Sequence, residues 1–203
     1  MNTVSFVNDC YIIMADFGIK SIRKVYFYVT HEKGGKNVIK ERRSIRTYKA
    51  DAIPEEILNA VLEAGTFAPT GGGKQSPVII AITSPQYRKK IAELNAEVMG
   101  VESDPYYGAP VVVLVLADGN ANTFIEDGSC VLENMMLAAA SLGLGSVWVH
   151  REREIFDNAK GKTLLKEWGV SESLRGVGAI ALGYPASSDA KAAERKEDYI
   201  VRI

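Results

Sequence analysis

A chain of 203 residues, 47% hydrophobic and 24% charged, is long enough for one domain with a substantial core and too apolar to be disordered. Its 24 Lys and Arg against 25 Asp and Glu leave a formal net charge of -1, so no global field gathers nucleic acid or an anionic membrane, and any anion must be held by a local cluster. The two cysteines, Cys10 and Cys130, make neither a disulfide framework nor a zinc-ligand spacing. No apolar run approaches the roughly 18 residues of a membrane helix, and no basic n-region precedes Tyr11-Ile-Ile-Met14. The expectation is a soluble cytoplasmic protein with no nucleic-acid partner, no membrane partner and no metal.

Residues 1–36 differ in composition from the rest, being rich in Phe, Tyr, Ile, Asn and Lys, with Ser21-Ile-Arg-Lys-Val-Tyr-Phe-Tyr-Val29 as their one strand-like run. Glu32-Lys-Gly-Gly-Lys36 is codable by a purine-rich ribosome-binding sequence just before Val38. This N-terminal extension is therefore read as translated leader ahead of a native start near Val38, the alternative being a genuine extra strand or arm. Residues 37–203 form the domain proper.

From there the pattern is regular. Asn37 can cap a short helix through Arg42, and Pro54-Glu-Glu opens a second helix with Ile57, Leu58, Val61, Leu62 and Ala64 on one face. Val78–Thr83 reads as a buried strand, Ser84-Pro85 starts a helix to about Met99, and Pro110–Leu116 reads as another buried strand. A helix over Thr123–Leu142 is nearly uncharged after Glu133, which predicts a central position or a dimer interface. Gly145–Val149 and Val177–Leu182 supply two more strands. The polar tail after Gly183-Tyr-Pro185 has an apolar end that can bury little by itself, so an edge strand docked on this chain or on a second copy is expected.

Ala68-Pro-Thr-Gly-Gly-Gly-Lys-Gln-Ser-Pro77 suggests a phosphate loop but fails as one. A Walker-type loop needs glycine where Ala68 stands and Ser or Thr where Gln75 stands, and it leads from strand to helix rather than from helix to strand. Arg42-Arg-Ser-Ile-Arg46 closes the first helix-like segment with three guanidiniums and a hydroxyl. Such a group can grip a phosphate bidentately or can be a solvated basic face.

The order of Arg42-Arg-Ser-Ile-Arg46, Ala68-Pro-Thr70, Leu142-Gly-Leu-Gly-Ser-Val-Trp148, Gly183-Tyr-Pro185 and Arg195 resembles the nitroreductase family of FMN-dependent NAD(P)H oxidoreductases, across about residues 37–203. The resemblance implies an α+β fold with a central mixed or antiparallel sheet of four or five strands flanked by helices. It also implies a homodimer whose C-terminal arm docks on the partner. By the same resemblance Arg42, Arg43, Ser44 and Arg46 hold the FMN phosphate and ribityl chain, Pro69, Thr70 and Gly71 approach the flavin, and Trp148, Val149 and His150 lie beside its ring system. Glycines in the loop then let backbone come close to a flat ligand. His150 is implied to act through its backbone amide rather than as an acid. Arg195 matches an arginine that reaches the phosphate from the tail.

The chain departs from the pattern at Gly73, where the family carries Asn, at Ser76-Pro77, where its aromatic lid is missing, and at Ala193, where it has a lysine. Lys74 is a candidate for the missing polar contact. The implied chemistry is ping-pong: NAD(P)H delivers hydride to the flavin and leaves, and a nitro compound, quinone or similar electron-poor acceptor takes its place. Arg46 is the candidate for stabilising negative charge near flavin N1 and O2. A flavin carrier without turnover stays open because of the missing Asn and aromatic residue. Flavin breakdown or reductive dehalogenation also stays open, although the Met99–Gly108 interval is short for the extra lid such chemistry normally brings.

Overall fold

The computed structural model of the chain describes residues 4–7, 10–13, 36–187 and 190–203. The strand expected at Ser21–Val29 lies outside the described residues. The chain divides into two units, Met1–Lys40 and Glu41–Ile203.

In the first unit, β1 (Val4–Val7) pairs antiparallel with β2 (Cys10–Ile13), Val4 opposite Ile13 and Val7 opposite Cys10. This pair corrects the sequence reading, which saw no strand there. Each run is only four residues long, too short for periodicity to register, yet rich in β-branched and aromatic side chains. Helix α1 (Lys36–Glu41) crosses the division, begins two residues before the expected Val38 and ends one before Arg42, so Asn37 lies inside it rather than at its cap.

The second unit alternates helices and strands. Helix α2 (Glu55–Thr66) follows Pro54, whose fixed φ suits a helix entry, and buries Leu58, Val61 and Gly65. A 3₁₀ turn at Gly71–Gly73 leads into β3 (Val78–Ile82), α3 (Pro85–Met99), β4 (Val111–Asp118), α4 (Phe124–Ser141) and β5 (Gly145–Val149). Then come α5 (Glu152–Asp157), α6 (Ala159–Glu167) and β6 (Leu174–Gly183). The last strand starts three residues before the predicted Val177.

The sheet has four strands in the order β3-β4-β6-β5, every pair antiparallel. Side chains alternate across it. Val112, Leu114 and Leu116 pack with Ile91, Ile155, Phe156, Leu164 and Leu165 on the face covered by α3, α5 and α6. Val111, Val113 and Val115 pack with Leu58, Val61, Leu132 and Met135 on the α2 and α4 face. Helix α4 is thus central, lying on the sheet with α2 against it. Helices α5 and α6 went unpredicted because each carries only one adjacent apolar pair, Ile155-Phe156 and Leu164-Leu165, in a charged background. The described tail, 190–203, forms one 3₁₀ turn at Glu197–Tyr199, is exposed throughout, and adds no strand to this chain's sheet.

Candidate active site

The arginine segment does not end a helix. Beyond Glu41 the chain runs extended along the outer edge of β5, where Ser44 bridges Ser146 in parallel and the Ile45 amide donates to the Ser146 carbonyl at 3.0 Å. The approach is close enough that a Cβ on Gly145 would stand 2.9 Å from Ile45, so glycine is what lets the segment lie there. Farther on, the Lys49 amide donates to the Tyr184 carbonyl at 2.9 Å and the Ala186 amide to the Thr47 carbonyl at 3.0 Å. The Tyr48 hydroxyl sits between the Ile45 and Ala181 carbonyls, 2.6 and 3.0 Å away, and burial pushes its pKa up, so it stays a neutral donor. These contacts fix five residues of otherwise surface-like sequence. Within them the Arg43 guanidinium donates to the Arg42 carbonyl at 2.8 Å, and that of Arg46 lies 5.8 Å from the Tyr107 ring centre. Arg42 Nη1 is enclosed and has no hydrogen-bond partner among the described residues.

The glycine loop is pinned to α4. The Gly71 amide donates to Asp127 Oδ1 at 2.9 Å while Thr123 donates to the other oxygen of that buried carboxylate at 3.1 Å. A Cβ on Gly71 would stand 2.2 Å from Thr123 Oγ1, and Gly72 and Gly73 have φ of 62° and 68°, a region side chains disfavour. Thr70 spends its hydroxyl on the loop itself, accepting from the Gln75 amide at 3.0 Å. Pro69 and Lys74 are exposed beside it.

Strand β5 carries the third segment. Val149 is buried on the α3 side, and half-buried Trp148 packs on the α4 side, where a Cβ on Gly178 would meet its Nε1 at 2.5 Å. His150 is exposed just past the strand, its ring 5.7 Å from that of Trp148. Arg151 then adopts a left-handed φ of 93° to turn the chain into α5. Arg153 of α5 lies 5.8 Å over Phe124 at the start of α4, the helix whose first turns also hold Gly71. Ser44 is thereby linked to the strand that precedes His150, and α4 links the glycine loop to the turn after it. Arg195 stays apart within this chain: it is exposed on the tail and bonded to the Ala193 carbonyl at 3.2 and 2.8 Å.

Sequence reasoning missed four supporting residues. Asp127 is one. The others are Asn95, Tyr106 and Glu152, all 0% exposed. The Tyr106 hydroxyl donates to Glu152 Oε1 at 2.8 Å, and Asn95 Nδ2 lies 2.8 Å from the His150 carbonyl and 3.3 Å from the same Oε1. Burial, the largest effect, pushes the Glu152 carboxyl up to about 7. Arg151-Glu-Arg-Glu154 reads as a solvated charge run, and no local pattern marks its second residue as buried. Among the described residues no group of three or more His, Cys, Asp or Glu is gathered as for a metal ion, and no helix is long and apolar enough to cross a membrane.

This arrangement of a four-stranded antiparallel sheet with helices on both faces matches known proteins. Residues 39–184 match the nitroreductase family, and the chain belongs to that family. A solved nitroreductase with bound FMN from Bacteroides fragilis superposes with a TM-score of 0.76 at 30% identity, over 84% of this chain and 99% of that one. A Methanothermobacter thermautotrophicus protein, provisionally named NADH dehydrogenase/NAD(P)H nitroreductase, is 30% identical over 74% of this chain and 76% of its own length. The FMN reductase [NAD(P)H] of Bacillus subtilis is 25% identical over 74% of this chain and 66% of its own length.

Proposed function

We propose that this chain is an FMN-dependent oxidoreductase that takes electrons from NAD(P)H and passes them to nitro compounds, quinones or similar electron-poor acceptors. It works as a homodimer and by a ping-pong sequence. The observation that carries the reading is the arginine segment hydrogen-bonded to β5, with an enclosed Arg42 Nη1 that needs an acceptor, in a chain of the nitroreductase family. An enclosed cationic N–H without a partner is costly, and a phosphate oxygen is the strongest available acceptor for it. The residues present therefore fit FMN.

FMN, when bound, supplies reversible two-electron transfer between donor and acceptor. Arg42, Arg43 and Ser44 would hold its phosphate and ribityl chain, and Arg46 would supply positive charge beside the ring system. Pro69, Thr70, Gly71 and Lys74 form one wall, kept in place by Asp127. Trp148, Val149 and His150 form the other, with His150 contributing backbone. Arg195 reaches the phosphate when the tail is docked on the partner subunit, which would also cover the exposed Tyr199, Ile200, Val201 and Ile203. Removing water from such a cleft strengthens every one of these electrostatic contacts.

The test is direct. Purified protein should carry a yellow flavin spectrum that reduced nicotinamide bleaches and a quinone restores, with parallel lines in double-reciprocal plots when both substrates are varied. Intersecting lines would remove the ping-pong reading, and a colourless protein that does not take up FMN would remove the cofactor.

A further inference from the structure

Behind the turn that follows β5 lies a closed polar cluster with no part in the reading above. Glu152, on the first turn of α5, is 0% exposed, as are Asn95 of α3 and Tyr106 of the turn before β4. Asn95 Nδ2 donates to the His150 carbonyl at 2.8 Å and approaches Tyr106 Oη and Glu152 Oε1 at 3.1 and 3.3 Å. The peptide between His150 and Arg151 is trans, so a carbonyl aimed inward at Asn95 sends the Arg151 N–H to the opposite side. The left-handed φ of Arg151 is unfavourable for a residue with a side chain, and persists only where the surroundings over-determine it. Asn95 supplies that determination from below. The turn carrying Tyr106 is braced in its own right: Asp104 bonds Arg88 and accepts from the Tyr106 and Gly108 amides at 2.9 and 2.8 Å. Its next residue, Tyr107, is the ring under Arg46, so one rigid turn touches both the arginine side and the β5 side.

Two acceptors in the cluster, Glu152 Oε2 and Asn95 Oδ1, are buried with no partner. An ionised Glu152 would leave both unpaired, whereas a proton on Oε2 turns one of them into a donor. We propose that Glu152 is a positioning residue that, as a neutral carboxyl and through Asn95 and Tyr106, fixes the His150–Arg151 peptide at the edge of the flavin site. The proposal rests on the FMN reading above and adds a residue to it.

The groups facing the carboxyl are few. Asn95 faces it from α3 and Tyr106 from the turn before β4, with Asp104 beyond. Glu154 on its own helix adds negative charge, and β6 presents backbone, a Cβ at Gly176 standing 2.2 Å from the Glu152 carbonyl carbon. No cation is among the causes that move it, and burial leaves the carboxyl at about 7. A carboxyl raised in the folded state contributes stability that is full below its unfolded value near 4.3 and is lost as pH rises through 7. The cluster is therefore intact in mild acid and loosens through neutrality.

The experiment compares wild type, Glu152→Gln and Tyr106→Phe from pH 5.5 to 8.5, reading apoprotein melting temperature, FMN dissociation constant by fluorescence titration, and visible circular dichroism of the bound flavin. Wild-type melting temperature should fall by about 5 °C between pH 5.5 and about 7 and level off above it. Its FMN affinity should fall several-fold and the flavin dichroism should change, these two with a midpoint near 7. Glu152→Gln keeps the size and supplies an N–H donor in place of the proton, so all three readouts should be flat and close to acid wild type. Tyr106→Phe removes a hydrogen bond that favours the ionised carboxyl and should move the midpoint upward, which a purely structural role would not do. His150→Gln, run in parallel, should leave the midpoint in place and so assign it to Glu152. A Glu152→Gln protein that keeps the wild-type pH profile, or a Tyr106→Phe midpoint that does not move, overturns the proposal while leaving the FMN reading intact. Wild-type protein that binds no FMN at any pH overturns both.

Discussion

Arg42 and Arg195 are both exposed-looking arginines in polar sequence, and they end in opposite circumstances. Arg42 starts a segment that exchanges backbone hydrogen bonds with β5 and with the end of β6, so its direction is set by the sheet. Arg195 sits on an exposed tail and bonds the Ala193 carbonyl two residues back, while Lys196 pairs with Asp198 and lies 5.4 Å from the Tyr199 ring. The first segment is held by its own chain, whereas the second is exposed along its described length. Guanidinium count does not distinguish these cases, and backbone pairing does.

The largest effect should come from removing the tail that the proposal docks on a second copy. Deleting residues 190–203 is expected to abolish dimers in analytical ultracentrifugation and to strip FMN on gel filtration. A truncated protein that stays dimeric and yellow would cancel the role given to the tail. Arg42→Ala should weaken FMN binding about ten- to a hundredfold, the value of a charge-assisted contact of roughly 1.5–3 kcal/mol, and by more than Arg195→Ala. Equal or reversed losses in flavin titration would move the phosphate to the tail.

Asp127→Ala sharpens the same contrast on the glycine loop, since it strands the Gly71 amide and the Thr123 hydroxyl. Urea denaturation should show a loss of about 1–3 kcal/mol together with weaker FMN retention. His150→Ala keeps the backbone and should lower kcat/KM by less than about tenfold. A loss beyond about a hundredfold, or roughly 2.7 kcal/mol, would mean that the imidazole itself acts.

The smallest effect is expected at Asp104. Burial alone would raise this carboxyl, but hydrogen bonds from Arg88 and the Tyr106 and Gly108 amides hold it below the usual range. Its contribution is present above the unfolded carboxylate value near 3.9 and is lost as pH falls through the lower folded one. Asp104→Asn should therefore cost about 1 kcal/mol or less at pH 7, after allowance for partial exposure, and make acid unfolding less steep below pH 4.

The sequence by itself determined the alternation of strands and helices from β3 to β5, and the strand β6, because buried strands such as Val111–Leu116 and the apolar α4 carry their periodicity locally. It also determined the family, since the ordered arginine, Ala-Pro-Thr and Gly-Leu-Gly signals are local strings. What it could not hold is anything set by partners distant in the chain. That Arg42–Arg46 runs along β5 rather than ending a helix depends on Ser146 and on the absence of a side chain at Gly145, a hundred or so residues away. That Glu152 is sealed from water while Glu154 beside it is exposed depends on α3 and the Tyr106 turn closing over one side of α5. Charge and propensity are properties of a residue and its neighbours, whereas burial and hydrogen-bond partnership belong to the packed sheet and helices, and only the tertiary structure assigned them.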